Sequence, residues 1–320
     1  MLREYGGPDQ LEPMTVHVPA PGPGEIKIRQ TAIGVNFHDI YVRSGSYRTL
    51  PLPGIPGIEG VGVVEQIGLD VEGIAIGDRV GYVSGSYGAY ASERLFPASL
   101  AIKLPESLGD RLAATVLLKG LTAHMLVRQV HRIGPDMTVL VHAAAGGVGR
   151  LVCQWAAHLG ATVIGTAGNP EKQLVARAAC CAHVIPYREV DFVSVVAELT
   201  EGKGVDVVYD SVGKDTFSGS LQSLAIFGHL VSFGQSSGAV EPVRLADLAE
   251  KSNTLTRPIL FHWSKEGRRI REMAQEVFAA FDQNILSSGP GEAYALSGAQ
   301  EAHRSLEAGT NKRPLILIPS

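Results

Sequence analysis

The 320-residue sequence lacks the features that mark membrane and secreted proteins. No apolar run approaches the roughly 20 residues that a membrane-spanning helix needs. Residues 1–7 contain no apolar core of the kind that a secretory signal requires. The three cysteines, Cys153, Cys180 and Cys181, form no C-x-x-C pair and supply no disulfide framework. The expected location is therefore the reducing cytoplasm, with no membrane partner.

Charge is also modest and carries no strong bias. The net charge is −4, and charged residues make up 19% of the chain without a basic block. Nucleic acid and anionic membrane surfaces are therefore not expected as partners. The hydrophobic share of 45% is ordinary for a globular protein, and 320 residues suffice for two domains with their own cores.

Glycine, in contrast, is abundant, with 37 residues, and one group of glycines organises the chain. An apolar, β-branched run at 139–141 is followed by the spacing Ala144-x-Gly146-x-x-Gly149 and then by an amphipathic helical pattern. Strand, tight turn and helix in this order are the context of a dinucleotide-binding loop. Small residues let the backbone approach a pyrophosphate, and the helix start offers free N–H groups. A glycine-rich turn without a ligand is the alternative. The expected contacts are Gly146, Gly147 and Val148.

The rest of the chain divides into two regions with different sequence patterns. Residues 1–110 contain short alternating or β-branched runs bounded by glycine and proline, which is typical of a small barrel-like β domain. Strand-like runs then alternate with helical patterns up to residue 233, which predicts a parallel sheet covered on both faces. An amphipathic helix at 270–281 and a strand at 315–318 follow.

Six motifs now occur in order along nearly the whole chain. They are Gly34-Val-Asn-Phe-His-Asp-Ile-Tyr41, Arg43-Ser-Gly-Ser-Tyr47, Lys119-Gly-Leu-Thr122, Ala143-Ala-Ala-Gly-Gly-Val-Gly149, Tyr209-Asp-Ser-Val-Gly213 and Ser232-Phe-Gly-Gln-Ser-Ser-Gly238. With them the sequence resembles zinc-free medium-chain dehydrogenase/reductases of the NADPH:quinone oxidoreductase, zeta-crystallin-like type. The resemblance implies an α/β fold in which a doubly wound Rossmann sheet (residues 119–259) is inserted in a GroES-like β-barrel catalytic domain (residues 1–118 and 260–320). It also implies NADPH as the cofactor, a quinone or another small electrophilic acceptor as the substrate, and a homodimer. The chain itself offers only the apolar strand at 229–233 as a dimer contact.

The resemblance also bears on zinc. Zinc-dependent relatives carry a ligand cysteine where this chain has Asn36 and a ligand histidine where it has Ile58. Glu59 alone cannot hold tetrahedral zinc, and the ten histidines show no i, i+4 ligand pairs. His38 and His262 are therefore expected to be ordinary loop or cleft histidines. The implied chemistry is hydride delivery to an acceptor that is already electrophilic.

The choice between NADPH and NADH depends on the end of the second strand of the Rossmann domain. NAD-selective sites usually carry Asp or Glu there, bonded to the ribose 2′-OH. Here the strand runs into Gly168, and the nearest acid, Glu171, falls within the helix start. Lys172 and Tyr187 match the positions with which the family holds a 2′-phosphate, and a cation with a phenolic donor suits a dianion. NADPH is the expected cofactor; solvated surface residues are the alternative for both side chains.

The resemblance places Asn36, Tyr41 and Tyr47 at the nicotinamide and the acceptor, so these are the candidate catalytic residues. Aromatic walls exclude water, and an amide or phenol can hydrogen-bond an acceptor oxygen as negative charge builds on it. Packing of the loop by the two tyrosines is the alternative. Asp39 is expected to cap a helix that begins near Ile40. The other expected cofactor contacts are Asn36 itself, Thr122, Gly168, Ser211, Phe233, Gly234, Ser236, Leu260 and Phe261.

Two positions depart from the family pattern. Met125 stands where relatives often carry a tyrosine, and Gly309 stands where they carry a cofactor-binding arginine. Lys312 and Arg313 are the candidates to replace that arginine. The adjacent pair Cys180-Cys181 is not expected to bridge, because such a bond strains the intervening peptide. Buried or half-buried thiols are expected instead.

Three functions remain open at this point. Quinone reduction by NADPH is the main hypothesis. Reduction of activated C=C bonds in enones or alkenals uses the same hydride geometry. A non-catalytic NADPH-binding protein with a structural or regulatory role is the third. Consumption of NADPH with a quinone or with an enone distinguishes them.

Overall fold

The computed structural model describes residues 1–309, 311 and 313–319, so Lys312 lies outside the described residues. The strands are β1 (Glu25–Gly34), β2 (Glu59–Ile67), β3 (Arg79–Val83), β4 (Glu93–Pro97), β5 (Ile102–Lys103), β6 (Thr138–Val141), β7 (Thr162–Ala167), β8 (His183–Pro186), β9 (Val205–Asp210), β10 (Leu224–Ser232), β11 (Thr254–Thr256), β12 (Glu292–Ala295) and β13 (Leu315–Ile318). The helices are α1 (Phe37–Ser44), α2 (Asp110–His124), α3 (Gly147–His158), α4 (Pro170–Ala178), α5 (Phe192–Leu199), α6 (Phe217–Gln222), α7 (Leu245–Ala249), α8 (Phe261–Ser264), α9 (Gly267–Asp282) and α10 (Ala299–Ala308).

The chain forms two compact units. The first unit contains Met1–Leu118, Phe261–Asp282 and Ser288–Ser320, and the second contains Lys119–Leu260 and Gln283–Ser287. No helix among the described residues is both long enough and apolar enough to cross a membrane.

The first unit is built on a seven-stranded sheet in the order β12-β13-β1-β2-β3-β5, with β4 also paired to β1. Among the described strands of this sheet, β12 and β13 pair in parallel, and the other pairs are antiparallel. Side chains alternate across β1, because successive residues of a strand face opposite sides. Ile26 and Ile28 are fully buried in the core, while Arg29 is exposed and bonds Glu65. The predicted β-rich domain is therefore confirmed.

The second unit is a six-stranded parallel sheet in the order β11-β10-β9-β6-β7-β8. Helices α3 and α4 pack against β6, β7 and β8, and α5 and α6 pack against each other and against β8, β9 and β10. The strand order reverses between β6 and β9, so the loop after β6 lies at the switch point where such sheets bind ligands. The predicted doubly wound Rossmann sheet is confirmed.

Two local expectations are wrong. Helix α1 begins at Phe37, because Asp39 in its first turn accepts the backbone N–H of Asn36 at 2.9 Å and thereby closes the start one turn earlier. Cys180 is exposed, since the chain turns there with a left-handed φ of +66° after α4. Strand β10, which contains residues 229–232, pairs with β9 on one side and with β11 on the other.

Candidate active site

The glycine loop joins β6 to α3 in the second unit. Ala143 adopts a left-handed φ of +50°, and Ala144 is fully buried. A Cβ on Gly149 would lie 3.0 Å from the carbonyl carbon of Ala143 and still closer to its oxygen. Glycine is required at 149 because the first turn of α3 packs directly on this backbone.

The start of α3 is open to a ligand. Its N-cap is Gly146, and no side chain within the described residues caps it. The next two helices differ, since Asn169 caps α4 and Asp191 caps α5 through side-chain oxygens. The first N–H groups of a helix have no partner inside the helix. The uncapped end of α3 therefore provides donors and a positive dipole end for an anion such as a pyrophosphate.

The side chain of Lys119 packs against the glycine loop. Its side chain is 7% exposed, and a Cβ on Gly147 would lie 2.9 Å from its Cδ. The sequence motif contains Lys119 but suggests no role for it. The structure shows that its aliphatic stem supports the glycine loop from below.

Two basic residues and a tyrosine follow β7 and β8. We call Lys172, Tyr187 and Arg188 the basic corner. A Cβ built on Gly168 would lie 3.3 Å from Nε of Arg188 and 3.4 Å from Cε1 of Tyr187. Lys172 follows in the first turn of α4, where its backbone N–H bonds Asn169 Oδ1 at 2.8 Å. Arg188 is absent from the residues expected from the sequence; its position directly after Tyr187 is the signal that could have found it. An arginine, a lysine and a tyrosine suit a phosphate dianion.

The loops after β9 and β10 are hydrogen-bonded to each other. The backbone N–H of Ser236 donates to the carbonyl of Ser211 at 3.2 Å, and that of Phe233 donates to the carbonyl of Asp210 at 2.8 Å. A Cβ on Gly234 would lie 2.5 Å from the Ser211 oxygen. Ser211, Phe233, Gly234 and Ser236 are thus brought together at the carboxyl edge of the sheet.

The remaining residues singled out from the sequence lie on other elements. Thr122 lies in α2, and buried Leu260 is the last residue of the Lys119–Leu260 segment of the second unit. Met125 is buried at the start of a π-helix that continues α2. Gly309 ends α10 with a left-handed φ of +64°, and exposed Arg313 precedes β13.

In the first unit, Asn36 is 6% exposed and precedes α1. Its Nδ2 donates to Glu59 Oε2 at 3.0 Å, and Glu59 Oε1 accepts the backbone N–H of Leu118 at 2.7 Å. A Cβ on Gly34 would lie 2.6 Å from the Glu59 carboxyl carbon, so glycine makes room for this carboxylate. The bond to Glu59 sets the orientation of the amide and directs its oxygen away from the carboxylate.

An aromatic cluster surrounds His38. Its ring centroid lies 5.5 Å from that of Tyr47 and 5.2 Å from that of Phe261, and the centroids of Tyr41 and Tyr47 are 5.0 Å apart. Nε2 of His38 bonds the hydroxyl of Tyr87 at 3.2 Å. Burial lowers the pKa of His38 to about 4, so the ring is neutral near pH 7. The sequence suggests only an ordinary loop or cleft histidine here, whereas the structure places the His38 ring against the rings of Tyr47 and Phe261.

The side chains at positions 36 and 58 do not fit a zinc site. The Asn36 amide nitrogen is bonded to Glu59, and Ile58 is a buried aliphatic side chain. Across the described part of the chain, no group of three or more His, Cys, Asp or Glu side chains could hold a metal ion. A catalytic zinc site needs three such protein ligands.

A barrel-like unit with a polar and aromatic cluster, joined in one chain to a parallel sheet with an open glycine loop, defines a medium-chain dehydrogenase/reductase. Residues 22–106 match the alcohol dehydrogenase GroES-like domain family, and residues 147–278 match the zinc-binding dehydrogenase family. The chain is 41% identical to the 2-haloacrylate reductase of a Burkholderia species, over 100% of this chain and 98% of that protein. It is also 41% identical to the quinone oxidoreductase of Pseudomonas aeruginosa, over 98% of this chain and 97% of that protein. The crystal structure of Escherichia coli quinone oxidoreductase complexed with NADPH matches with a TM-score of 0.94 at 41% identity, covering 99% of this chain and 98% of that one. The protein belongs to the quinone oxidoreductase family.

Proposed function

We propose that the protein is an NADPH:quinone oxidoreductase that transfers reducing equivalents from NADPH to a quinone without a metal ion. The observation that carries the proposal is the uncapped start of α3 beside the packed glycine loop, in a chain whose full-length relatives include a quinone oxidoreductase solved with NADPH. A dinucleotide needs such an anion-binding helix start. When bound, NADPH supplies the hydride.

The second unit provides most of the proposed cofactor contacts. Gly146, Gly147 and Val148 would hold the pyrophosphate through backbone N–H groups. The basic corner would hold the 2′-phosphate, because no carboxylate stands at Gly168 to bond a free ribose hydroxyl. The full proposed set is Asn36, Thr122, Gly146, Gly147, Val148, Gly168, Lys172, Tyr187, Arg188, Ser211, Phe233, Gly234, Ser236, Leu260 and Phe261.

The first unit provides the proposed catalytic side chains, Asn36, Tyr41 and Tyr47. The tyrosine rings exclude water and position a flat acceptor. A phenol hydroxyl donates a hydrogen bond to the acceptor oxygen as negative charge builds there. The hydrogen bond from Asn36 Nδ2 to Glu59 holds the Asn36 amide in one orientation. Positioning, more than proton transfer, is the contribution we assign to these residues.

Steady-state oxidation of NADPH with 1,4-benzoquinone or 9,10-phenanthrenequinone tests this function. We expect turnover with NADPH, and a much higher KM when NADH replaces it. Addition of a chelator should leave the rate unchanged. Tight binding of NADPH without turnover on any quinone would instead identify a binding protein.

Reduction of activated C=C bonds is the second candidate, because the chain is 41% identical to a 2-haloacrylate reductase over its whole length. The same chain residues would orient an alkene conjugated to a carboxylate or carbonyl. Parallel assays with a 2-haloacrylate, an enone and a quinone decide between the two by comparing kcat/KM.

We also propose domain boundaries, assembly and location. The GroES-like domain would comprise residues 1–118 and 260–320, and the Rossmann domain residues 119–259. A homodimer would cover the edge strand β11 and the exposed side chains of Ile226, Phe227 and Leu245, since large apolar side chains in water favour association. The three free cysteines support a cytoplasmic location, and the charge of −4 argues against a nucleic-acid partner.

A further inference from the structure

A chain of polar side chains is buried beneath the carboxyl edge of the parallel sheet. Thr166 Oγ1 lies 3.1 Å from His142 Nδ1, and His142 Nε2 lies 2.9 Å from Ser220 Oγ. Ser220 Oγ donates to Asp210 Oδ2 at 2.8 Å, and Thr216 Oγ1 donates to the same carboxylate at 2.8 Å. All five side chains are at most 1% exposed. We call these five residues the edge network.

The proton positions in the edge network follow from counting donors. The Asp210 carboxylate accepts from the Ser220 hydroxyl, which has only one proton. Ser220 must therefore accept from His142, whose Nε2 carries the proton. Burial lowers the pKa of His142, so the ring is neutral and its Nδ1 accepts from Thr166. Thr166, His142, Ser220 and Asp210 thus form one directed series in which every donor has an acceptor.

The edge network is connected to each neighbouring loop. His142 directly precedes the glycine loop, and the backbone N–H of Ala144 donates to the carbonyl of Thr166 at 3.0 Å. Asp210 Oδ1 accepts the N–H groups of Val212 and Gly213 at 2.8 and 3.0 Å. The loop after β10 is hydrogen-bonded to this same segment through the backbone N–H groups of Phe233 and Ser236. The network therefore joins β6, β7, β9 and α6 at the points where the chain leaves the sheet.

The composition of the sheet argues that this is more than ordinary packing. The core below the edge is aliphatic, with Leu140, Ile164, Val208 and Leu230 in one cluster. Replacing buried charged groups by apolar residues of similar shape is often neutral for stability, and in several proteins buried polar groups instead restrict the chain to one arrangement. Such a restriction is useful where several loops must hold backbone donors in fixed positions.

We propose that His142, Ser220 and Asp210 are positioning residues for NADPH, which act by fixing the loops at 143–149 and 211–213 before the cofactor binds. This inference rests on the proposed function. It assigns the residues no contact with the cofactor. Removing the middle of the series should loosen the loops and weaken NADPH binding, while kcat at saturating NADPH changes little.

Ser220→Ala tests the proposal against Ser223→Ala, a matched control. Ser223 is also buried, at 3% exposure, and its hydroxyl bonds the carbonyl of Gly219 at 2.8 Å outside the network. For Ser220→Ala we expect the Kd of NADPH to rise about 5- to 20-fold and kcat to stay within about threefold. The reason is that the loss of a buried hydrogen bond loosens the loops before the cofactor binds, and so it lowers the affinity for NADPH. For Ser223→Ala we expect less than about a twofold change in Kd. Tm is measured for both variants.

Two further measurements test the role of the edge network. Thr166→Val removes only the hydroxyl at the start of the series and should give a smaller rise in the Kd of NADPH than Ser220→Ala. Nitrogen NMR of the wild-type protein should show His142 neutral with its proton on Nε2. Equal Kd values for the two serine variants, or a proton on Nδ1, would overturn the inference. A wild-type protein that binds no NADPH would defeat the proposed function itself, and the inference with it.

Discussion

Replacing Gly149 by alanine should damage both the stability of the second unit and its affinity for NADPH. The added Cβ would lie 3.0 Å from the carbonyl carbon of Ala143 and 3.2 Å from Cα of Ala144. Carbon atoms pack at about 3.5 Å or more, so α3 or the loop must move by roughly 0.5–1 Å. Both neighbours are backbone atoms, and Ala143 already has a left-handed φ, so the strain cannot be relieved by a side-chain rotation.

Overpacking of this kind destabilises proteins by about 1–3 kcal/mol. For a unit of this size, about 2 kcal/mol corresponds to a fall in Tm of roughly 4–8 °C. The same movement displaces the N–H groups at the start of α3, and we expect the Kd of NADPH to rise by about tenfold or more, as for the loss of one charge-assisted hydrogen bond.

Gly134→Ala is the matched control, because it lies in the same unit, its φ is outside the left-handed region, and a Cβ there would meet no atom within 4 Å. It should keep the Kd of NADPH and leave Tm unchanged or raise it slightly. Thermal unfolding and fluorescence titration measure both quantities. If Gly149→Ala behaved like the control in both, α3 would not be packed on the loop as described.

Three further predictions concern the cofactor, the acceptor and pH. Lys172→Ala should raise the KM for NADPH about tenfold and leave that for NADH nearly unchanged, because an exposed cation contributes about 1.5 kcal/mol to binding a phosphate; equal effects on both cofactors would contradict the assignment. Tyr47→Phe should lower kcat with quinones about fivefold, the equivalent of one hydrogen bond of about 1 kcal/mol, whereas an unchanged kcat for every acceptor would argue against a polar role. Burial and Arg43 lower the pKa of His303 to about 3 in the folded protein, so its contribution to stability is full above pH 6.5 and is lost as pH falls towards 3. In denaturant titrations between pH 6 and 4, His303→Gln should therefore reduce the loss of unfolding free energy by up to about 1.4 kcal/mol per pH unit, and an equal slope in both proteins would refute this origin.

Much of the fold could be predicted from local sequence. The β6–loop–α3 unit is visible because a β-branched run, small residues and a helical apolar stripe follow one another within about 20 residues. Strand β13 is found at the expected position, since a short apolar run bounded by turns identifies a buried strand. Family motifs then extended these local patterns to two domains and a cofactor.

Contacts between residues that are distant in the sequence could not be predicted from local patterns. Arg188 approaches Gly168 only because β7 and β8 are neighbours in the sheet. His38 meets Phe261 although more than two hundred residues separate them in sequence. Neither pairing has a periodic signal, because the contacts are set by sheet order and by which strands share an edge.

The sequence by itself determined the order of strands and helices, the glycine loop and the absence of zinc-ligand residues at 36 and 58, because each depends on residue type and short-range spacing. Only the tertiary structure decided which polar groups are buried together: Asn36 with Glu59, and His142 with Ser220 and Asp210. The physical reason is that a hydrogen bond between distant residues needs both groups to be removed from water by the same packed layer, and packing is a property of the whole fold.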